Sequence, residues 1–231
     1  MKRALVLYSG GIDSTTALYW ARARYDSVQA LTFDYGQRHR VEVRMARAAA
    51  RKLRIPHEVF PIRLDRIGGS ALTDSSIPLP LHGRVGKIGS RVPATYVPFR
   101  NGIFLALAAA LAEARGIRDI VCGFNVIDSP HYPDTHPVFV KAMEKAVRSG
   151  TRPGSDRARI RILAPFAEMK KSEIIRRGLA LRADFAQSVS CYAGNEVPCR
   201  RCSSCLLRRR AWEEVGRPDP LIVRLEKEGR L

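Results

Sequence analysis

Apolar residues recur along this chain in two alternating patterns. Short β-branched or aromatic runs at 3–8 (RALVLY), 27–35 (SVQALTFDY), 57–62 (HEVFPI), 118–124 (RDIVCGF) and 159–166 (RIRILAPF) have the length and composition of buried strands. Between and after them, the segments 14–25, 39–53, 101–116, 137–150 and 170–181 carry apolar positions at helical spacing. Strand and helix in this alternation predict an α/β protein whose parallel sheet is covered by helices on both faces.

Two stretches break the pattern. Residues 63–98 hold Gly68, Gly69, Pro78, Pro80, Gly83, Gly86, Gly89, Pro93 and Pro98, which disrupt any regular period. A loop of this length in a compact domain reads as a lid, and it ends in the aromatic and polar segment PATYVPFRN. A second turn-rich stretch, NVIDSPHYPDTHP, follows the fourth strand. No internal repeat or low-complexity tract is present.

The chain has 231 residues, enough for one substantial core with a small appendage. Forty Lys and Arg against 22 Asp and Glu give a net charge of +18, which suits nucleic acid, acidic membranes or phosphorylated small molecules without choosing among them. The basic residues are spread along the chain, the pattern of a solvated surface. The N-terminus runs straight into the first strand with no cleavable signal pattern, and no apolar run reaches membrane-spanning length, so a cytoplasmic protein is expected.

The first strand ends in SGGIDSTT. Two glycines and several hydroxyls at the start of a helix present bare backbone N–H groups where an anion is favoured. Glycine permits close approach of phosphate oxygens, Ser9, Ser14 and Thr15 add donors, and Asp13 is placed to hold a magnesium ion or to cap the helix. The loop lacks the lysine of a Walker A motif and does not follow G-x-G-x-x-G. A simple strand-to-helix turn capped by Asp13 or Ser14 is the competing reading; six such residues in order favour a phosphate cradle.

Four of the five cysteines, Cys191, Cys199, Cys202 and Cys205, fall within CYAGNEVPCRRCSSC. In a chain without an export signal this C-x7-C-x2-C-x2-C spacing points to metal before disulfides. A closed four-thiolate zinc shell is structural, and an iron–sulfur cluster uses the same ligands. Cys122, in an apolar strand, reads as a small core residue. The five histidines show no metal spacing with one another, so surface or packing roles are expected.

The loop resembles that of the PP-loop ATP pyrophosphatases. With LTFDYGQRHR, GGSALTD, PATYVPFRN, GFNVIDSPHYPDTHPVFV, KKSEIIRRGL and SCYAGNEVPCRRCSSCLLRR in the same order, nearly the whole chain is similar to the 7-cyano-7-deazaguanine synthase family of queuosine biosynthesis. It departs at Arg200, where the family usually has glycine, at Ser203, where it often has an acidic residue, and in DSPHYPDTHP.

The resemblance implies a Rossmann-like, adenine nucleotide alpha hydrolase-like catalytic domain at 1–185 and a zinc-binding helical subdomain at 186–231. It implies ligation of ammonia to 7-carboxy-7-deazaguanine, with ATP as co-substrate, Mg2+, adenylated carboxylate and amide intermediates, and a nitrile product. The ATP site expected from it is Tyr8, Ser9, Gly10, Gly11, Ile12, Asp13, Ser14, Thr15, Thr16, Ala17 and Leu18, with Asp13, Arg38, Arg100 and Lys171 as catalytic groups. Tyr35, Gln37, Tyr96, Asn101, Asn125, Asp128, Tyr132 and Asp134 are the expected base-binding set, and the four cysteines are expected to hold one structural Zn2+ per chain. The resemblance further implies a homodimer, with no membrane and no stable nucleic-acid partner. A tRNA-modifying PP-loop enzyme, or one that stops at the amide or uses another amine, is the alternative.

Overall fold

The computed structural model describes residues 1–85, 88, 91–127, 131–152 and 159–231. Strands β1 (Arg3–Leu7), β2 (Ser27–Asp34), β3 (His57–Pro61), β4 (Asp119–Val121) and β5 (Arg161–Leu163) form one sheet in the order β3-β2-β1-β4-β5. Every neighbouring pair is parallel, with Val6 level with Ala30 on one side and Val121 on the other. The chain builds outward from β1 to β3, then crosses to β4 and β5 on the other side. In such sheets the crevice at the carboxyl ends of β1 and β4 is where ligands bind.

Side chains alternate along each strand, and both sets are buried. Leu5, Leu7, Leu31, Phe33 and Ile120 pack under α3 (Arg100–Ala114) and α4 (Pro137–Gly150). Ala4, Val6, Tyr8, Val28, Ala30 and Val121 face α1 (Ile12–Arg22), α2 (Val41–Lys52) and α5 (Lys171–Ala180). The two faces of one apolar strand therefore serve two cores, as the sequence pattern predicts.

Helix α1 begins two residues earlier than its apolar period indicates, because Ile12 and Asp13 form the first turn and Gly11 is the N-cap. The strand expected at 118–124 pairs only over Asp119–Val121, and the one at 159–166 only over Arg161–Leu163. Past Val121 the chain leaves the ladder and runs against the SGGIDS loop.

Two further helices, α6 (Ser203–Val215) and α7 (Pro220–Lys227), complete the chain. Gly216, with φ +73°, ends α6, and the Asp219 side chain accepts from Leu221 N–H to cap α7. Ala211 and Trp212 of α6 share an apolar cluster with Ile12, Ile175 and Phe185, while Leu221 and Leu225 of α7 pack on Met45 and Val189. Much of the 63–85 loop is fastened to the body. Ser70, Ala71 and Leu72 are buried, Arg38 donates to the carbonyls of Asp74 (2.9 Å) and Ile77 (3.1 Å), and Leu81 bridges Cys202.

Asp119, at the start of β4, accepts hydrogen bonds from Arg161 of β5 (2.7 and 2.6 Å) and from the Tyr25 hydroxyl (2.9 Å). Burial raises its carboxyl pKa, but these donors outweigh burial and hold it below the ordinary range. A folded-state value below the unfolded one gives stability that is complete above the unfolded pKa and is lost as pH falls through the folded pKa. Asp119→Asn is expected to lower the unfolding free energy by about 1–3 kcal/mol at neutral pH. The loss should shrink as pH drops below about 4. Denaturant melts at neutral and acidic pH check this, and an equal loss at both would contradict it.

Candidate active site at the switch point

The glycine loop lies where the sheet order reverses. Gly11 caps α1 with no side-chain hydrogen bond to the first-turn amides, so Asp13 and Ser14 do not act as the N-cap. Ser14 Oγ instead donates to Gly11 O (3.1 Å) and lies 3.1 Å from Ser9 Oγ, folding the hydroxyls into the loop. Uncapped amides at a helix N-terminus, lined by hydroxyls, make an anion cradle.

Two glycines outside the helix allow this packing. Gly10 has φ +81°, a conformation that side-chain-bearing residues rarely adopt, and a Cβ there would sit 3.3 Å from Glu42 O of α2. Gly123, just past β4, is more constrained. A Cβ on it would lie 2.7 Å from Asp13 C and Ser14 N, so the loop rests directly on bare backbone. Gly123 is not among the expected site residues; in the sequence it appears only within the strand-like run 118–124 and at the head of GFNVIDSPHYPDTHPVFV.

A cavity of about 280 Å³ opens over the loop. Tyr8, Ser9, Gly11, Ile12, Asp13, Ser14 and Lys171 line it on the phosphate-cradle side. Tyr35, Arg100, Asn101, Phe104, Asn125 and Tyr132 line it elsewhere, together with His39, Glu42, Ser190, Tyr192 and Arg208. Lys171, at the start of α5, pairs with Asp13 Oδ2 at 2.6 Å, while Asp13 Oδ1 is buried with no hydrogen-bond partner among the described residues. A buried, unpartnered carboxylate oxygen beside an anion cradle fits a hard divalent cation such as Mg2+. Arg100 donates to the Tyr35 hydroxyl (3.0 Å), and its guanidinium lies 5.5 Å from the Tyr35 ring centroid and 5.9 Å from that of Phe104. Burial raises the pKa of Tyr35 and takes that of Tyr8 up to about 12, so both hydroxyls stay protonated.

Other expected residues are placed elsewhere. Ala17 and Leu18 are fully buried beneath the sheet, and Thr16 donates to Ile174 O. Thr15 and Gly10 lie behind the lining. Arg38 faces a separate cleft with Arg40 and Arg44 and fastens the 74–77 loop. Gln37 is a buried latch: its Oε1 accepts from Tyr35 N–H (2.7 Å) and its amide donates to Phe33 O and Glu42 Oε1. Asp134 accepts from Asn101 N–H (2.9 Å) at the start of α3, where its charge suits the helix dipole. Tyr96 stands behind Tyr132, with ring centroids 6.2 Å apart. Ile12 lines the cavity edge and packs beneath the loop among Ile175, Phe185 and Trp212. Asp128 lies outside the described residues.

The four cysteine sulfurs lie within 4.8 Å of one another, and Cys199 Sγ to Cys205 Sγ is 3.9 Å. A tetrahedral zinc with Zn–S of about 2.3 Å has sulfur-to-sulfur edges of about 3.8 Å, so the donor set fits a single ion. Cys202 is the N-cap of α6 and Cys205 lies in its first turn, where the dipole favours thiolate. Amides of Cys199 and Cys202 point at the sulfurs of Cys191 and Cys199, each at 3.3 Å. Arg200, between two ligands, has φ +61°. Glycine takes that conformation without strain, which explains the residue usual at this place and the cost of arginine there. Tyr192 and Ser190 flank Cys191, so the cysteine knot also builds a cavity wall. Arg208 secures that wall through Asp219 (2.5 Å) and Ser188 O (2.7 Å).

A parallel sheet of this order with an S-G-G-x-D-S cradle at its switch point and a four-cysteine knot defines a PP-loop protein of the ATP-using α/β class. The chain belongs to the family described as Queuosine biosynthesis protein QueC, which it matches over residues 3–216. A curated relative from Aromatoleum aromaticum, named 7-cyano-7-deazaguanine synthase, is 46% identical across 96% of this chain and 98% of its own. Another of that name, from Methylococcus capsulatus, is 45% identical across 97% of this chain and 100% of its own. A 4-thiouridine synthetase–RNA complex with bound ATP has a similar fold, with a TM-score of 0.50 at 20% identity. It is matched over 97% of this chain and 53% of that one, so this chain spans about half its length.

Two substitutions test the geometry. Gly123→Ala should displace the loop and reduce ATP-dependent turnover about 100-fold, the scale of an ångström-size misplacement, and lower stability by about 1–3 kcal/mol because the Cβ meets backbone. Arg200→Gly should raise stability by about 0.5–1 kcal/mol, the relief of a left-handed residue less the added freedom of the unfolded chain. Chemical denaturation of metal-loaded protein measures the second.

Proposed function

We propose that this protein is a 7-cyano-7-deazaguanine synthase, which joins ammonia to 7-carboxy-7-deazaguanine with ATP and carries the amide on to the nitrile. The observation that carries this reading is the full-length similarity to relatives of that name, at 45–46% identity, in a chain whose phosphate cradle opens into an aromatic and amide-lined cavity. A carboxylate is a poor electrophile for ammonia, and transfer of AMP to it supplies a leaving group. Its oxygen attacks the α-phosphorus of ATP and pyrophosphate departs. The amides of α1 and the hydroxyls of Ser9 and Ser14 hold the phosphates, and Lys171 stands beside them on Asp13. Mg2+ held at Asp13 would neutralise charge on the departing pyrophosphate. Arg100 supplies a fixed positive charge at the opposite wall, where Tyr35, Asn101, Asn125 and Tyr132 are the candidates for clasping the planar base.

The metal in this reading is one structural zinc per chain. The sulfurs are as close as ligands of a single ion, whereas in a cubane cluster each thiolate binds a different iron and the four stand further apart. Residues 186–231 are proposed as the zinc-binding subdomain and 1–185 as the catalytic domain. Among the described residues no helix is long and apolar enough to cross a membrane, and a cytoplasmic location without a stable nucleic-acid partner is part of the proposal. A homodimer is supported by Phe99, Ile127 and Val138, which expose apolar side chains near the ends of α3 and α4.

Purified protein with ATP, Mg2+, ammonium and 7-carboxy-7-deazaguanine is expected to release AMP and pyrophosphate and to form the nitrile, followed by chromatography and mass spectrometry. Amide as the final product under excess ATP would overturn the assignment. Metal analysis of the same preparation should return one zinc per chain, and iron with visible absorption would overturn the metal reading.

A further inference from the structure

The reaction leaves one chemical need unmet by the groups named so far. Nitrogen that attacks an acyl adenylate becomes positively charged and must lose a proton before the tetrahedral adduct collapses forward. The acceptor has to be a base beside the reacting carbon that is not already neutralised by a permanent cation.

Two carboxylates line the cavity among the described residues, Asp13 and Glu42. Asp13 is paired with Lys171. Among the described residues Glu42 is paired with neither lysine nor arginine. Its Oε1 lies 3.3 Å from His39 Nε2 and accepts from the Gln37 amide at 3.2 Å, and its Oε2 has no hydrogen-bond partner among the described residues. Gln37 is itself locked by Tyr35 N–H and Phe33 O, so its amide group is turned toward Glu42 as a donor. His39 Nε2 is also 3.4 Å from the Tyr35 hydroxyl, which takes a hydrogen bond from Arg100. The carboxylate is thus fixed on one oxygen and left open on the other.

Its position relative to the phosphate cradle is set by backbone. Glu42 O would lie 3.3 Å from a Cβ on Gly10, so the first turn of α2 rests on the loop that holds the nucleotide. Glu42 thus lines the same cavity as Ser9, Gly11, Asp13 and Ser14 of that loop, where an acyl adenylate formed from bound ATP would stand.

We propose that Glu42 is the catalytic proton acceptor for the attacking nitrogen, positioned by Gln37 and His39. This rests on the synthase reading above. Ammonia adds to the acyl carbon through its lone pair, Glu42 takes one proton from the resulting N–H, and the C–O bond to AMP breaks with its electron pair leaving on AMP. The products are the amide, AMP and protonated Glu42, which returns its proton to solvent. In the second stage the amide oxygen is adenylated by ATP with loss of pyrophosphate and of one N–H proton. The same carboxylate is placed to take the last N–H proton, the N–H electron pair completing the C≡N bond as the C–O bond to AMP breaks and its pair leaves on AMP.

The test separates this role from the synthase reading. Carboxylate-dependent exchange of labelled pyrophosphate into ATP reports adenylation alone, and its absence from the wild-type protein would sink the synthase reading. With exchange present in the wild type, Glu42→Gln should retain exchange within about threefold and form amide and nitrile about 100-fold or more slower, the range of general-base catalysis. Hydroxylamine, a weakly basic nucleophile whose adduct sheds its proton to water unaided, should restore acyl transfer in Glu42→Gln to within about fivefold of wild type. Glu42→Asp should recover part of the ammonia-dependent rate. Wild-type nitrile formation by Glu42→Gln would overturn the proposal. So would a parallel fall in exchange, or an equal loss with hydroxylamine and ammonia, either of which marks a structural role.

Discussion

The structure depends on the close contact between the uncapped N-terminus of α1 and the bare backbone at Gly123. Both β1 and β4 end at the point where the sheet order reverses, and only a residue without a Cβ lets their exit loops touch. That contact holds the first-turn amides in place before any ligand arrives. Electrostatic stabilisation of a phosphate then needs no reorganisation, the condition under which fixed dipoles are most effective. Gly10 repeats the constraint on the other side, against α2.

From this contact the rest of the site follows by packing. Helix α5 brings Lys171 to Asp13, α3 brings Arg100 to Tyr35, and α2 with the turn before it brings Glu42 and His39 to the edge of the cradle. The cysteine knot closes the remaining side. Its ligands are held by the α6 N-terminus, by amide-to-sulfur hydrogen bonds and by the bridge from Leu81 to Cys202, and the residues flanking Cys191 become cavity wall. A metal held by these four cysteines would therefore fix part of a binding surface as well as a fold. Gly194 ties the two together, since a Cβ there would lie 2.7 Å from Arg38 O in the loop before α2.

Individual positions show why some roles were readable and others were not. The five strands follow from short continuous apolar runs and five of the helices from apolar positions at helical spacing, both of which local sequence encodes directly. Asp13 and the hydroxyls stand out in the sequence because six glycine, hydroxyl and acidic residues fall in one short stretch. Asp134 and Gln37, by contrast, carry side chains as suited to a base as any in the chain, and tertiary packing commits them to a helix N-terminus and a latch on the loop after β2. His39, expected to pack or to face solvent, is buried in the cavity lining because α2 folds back onto the glycine loop.

By itself the sequence determined the parallel α/β class, the anion-binding character of SGGIDSTT and the metal-binding character of the cysteines, since each resides in contiguous residues whose chemistry is set by spacing. The tertiary structure alone decided which carboxylate is paired and which is open. It also decided that the metal knot walls the cavity, and that Gly123 matters more than its sequence context shows. These are contacts between elements far apart along the chain, as with Asp13 and Lys171 at a separation of 158. No local pattern encodes them, because they arise only when several independently formed elements converge on one point.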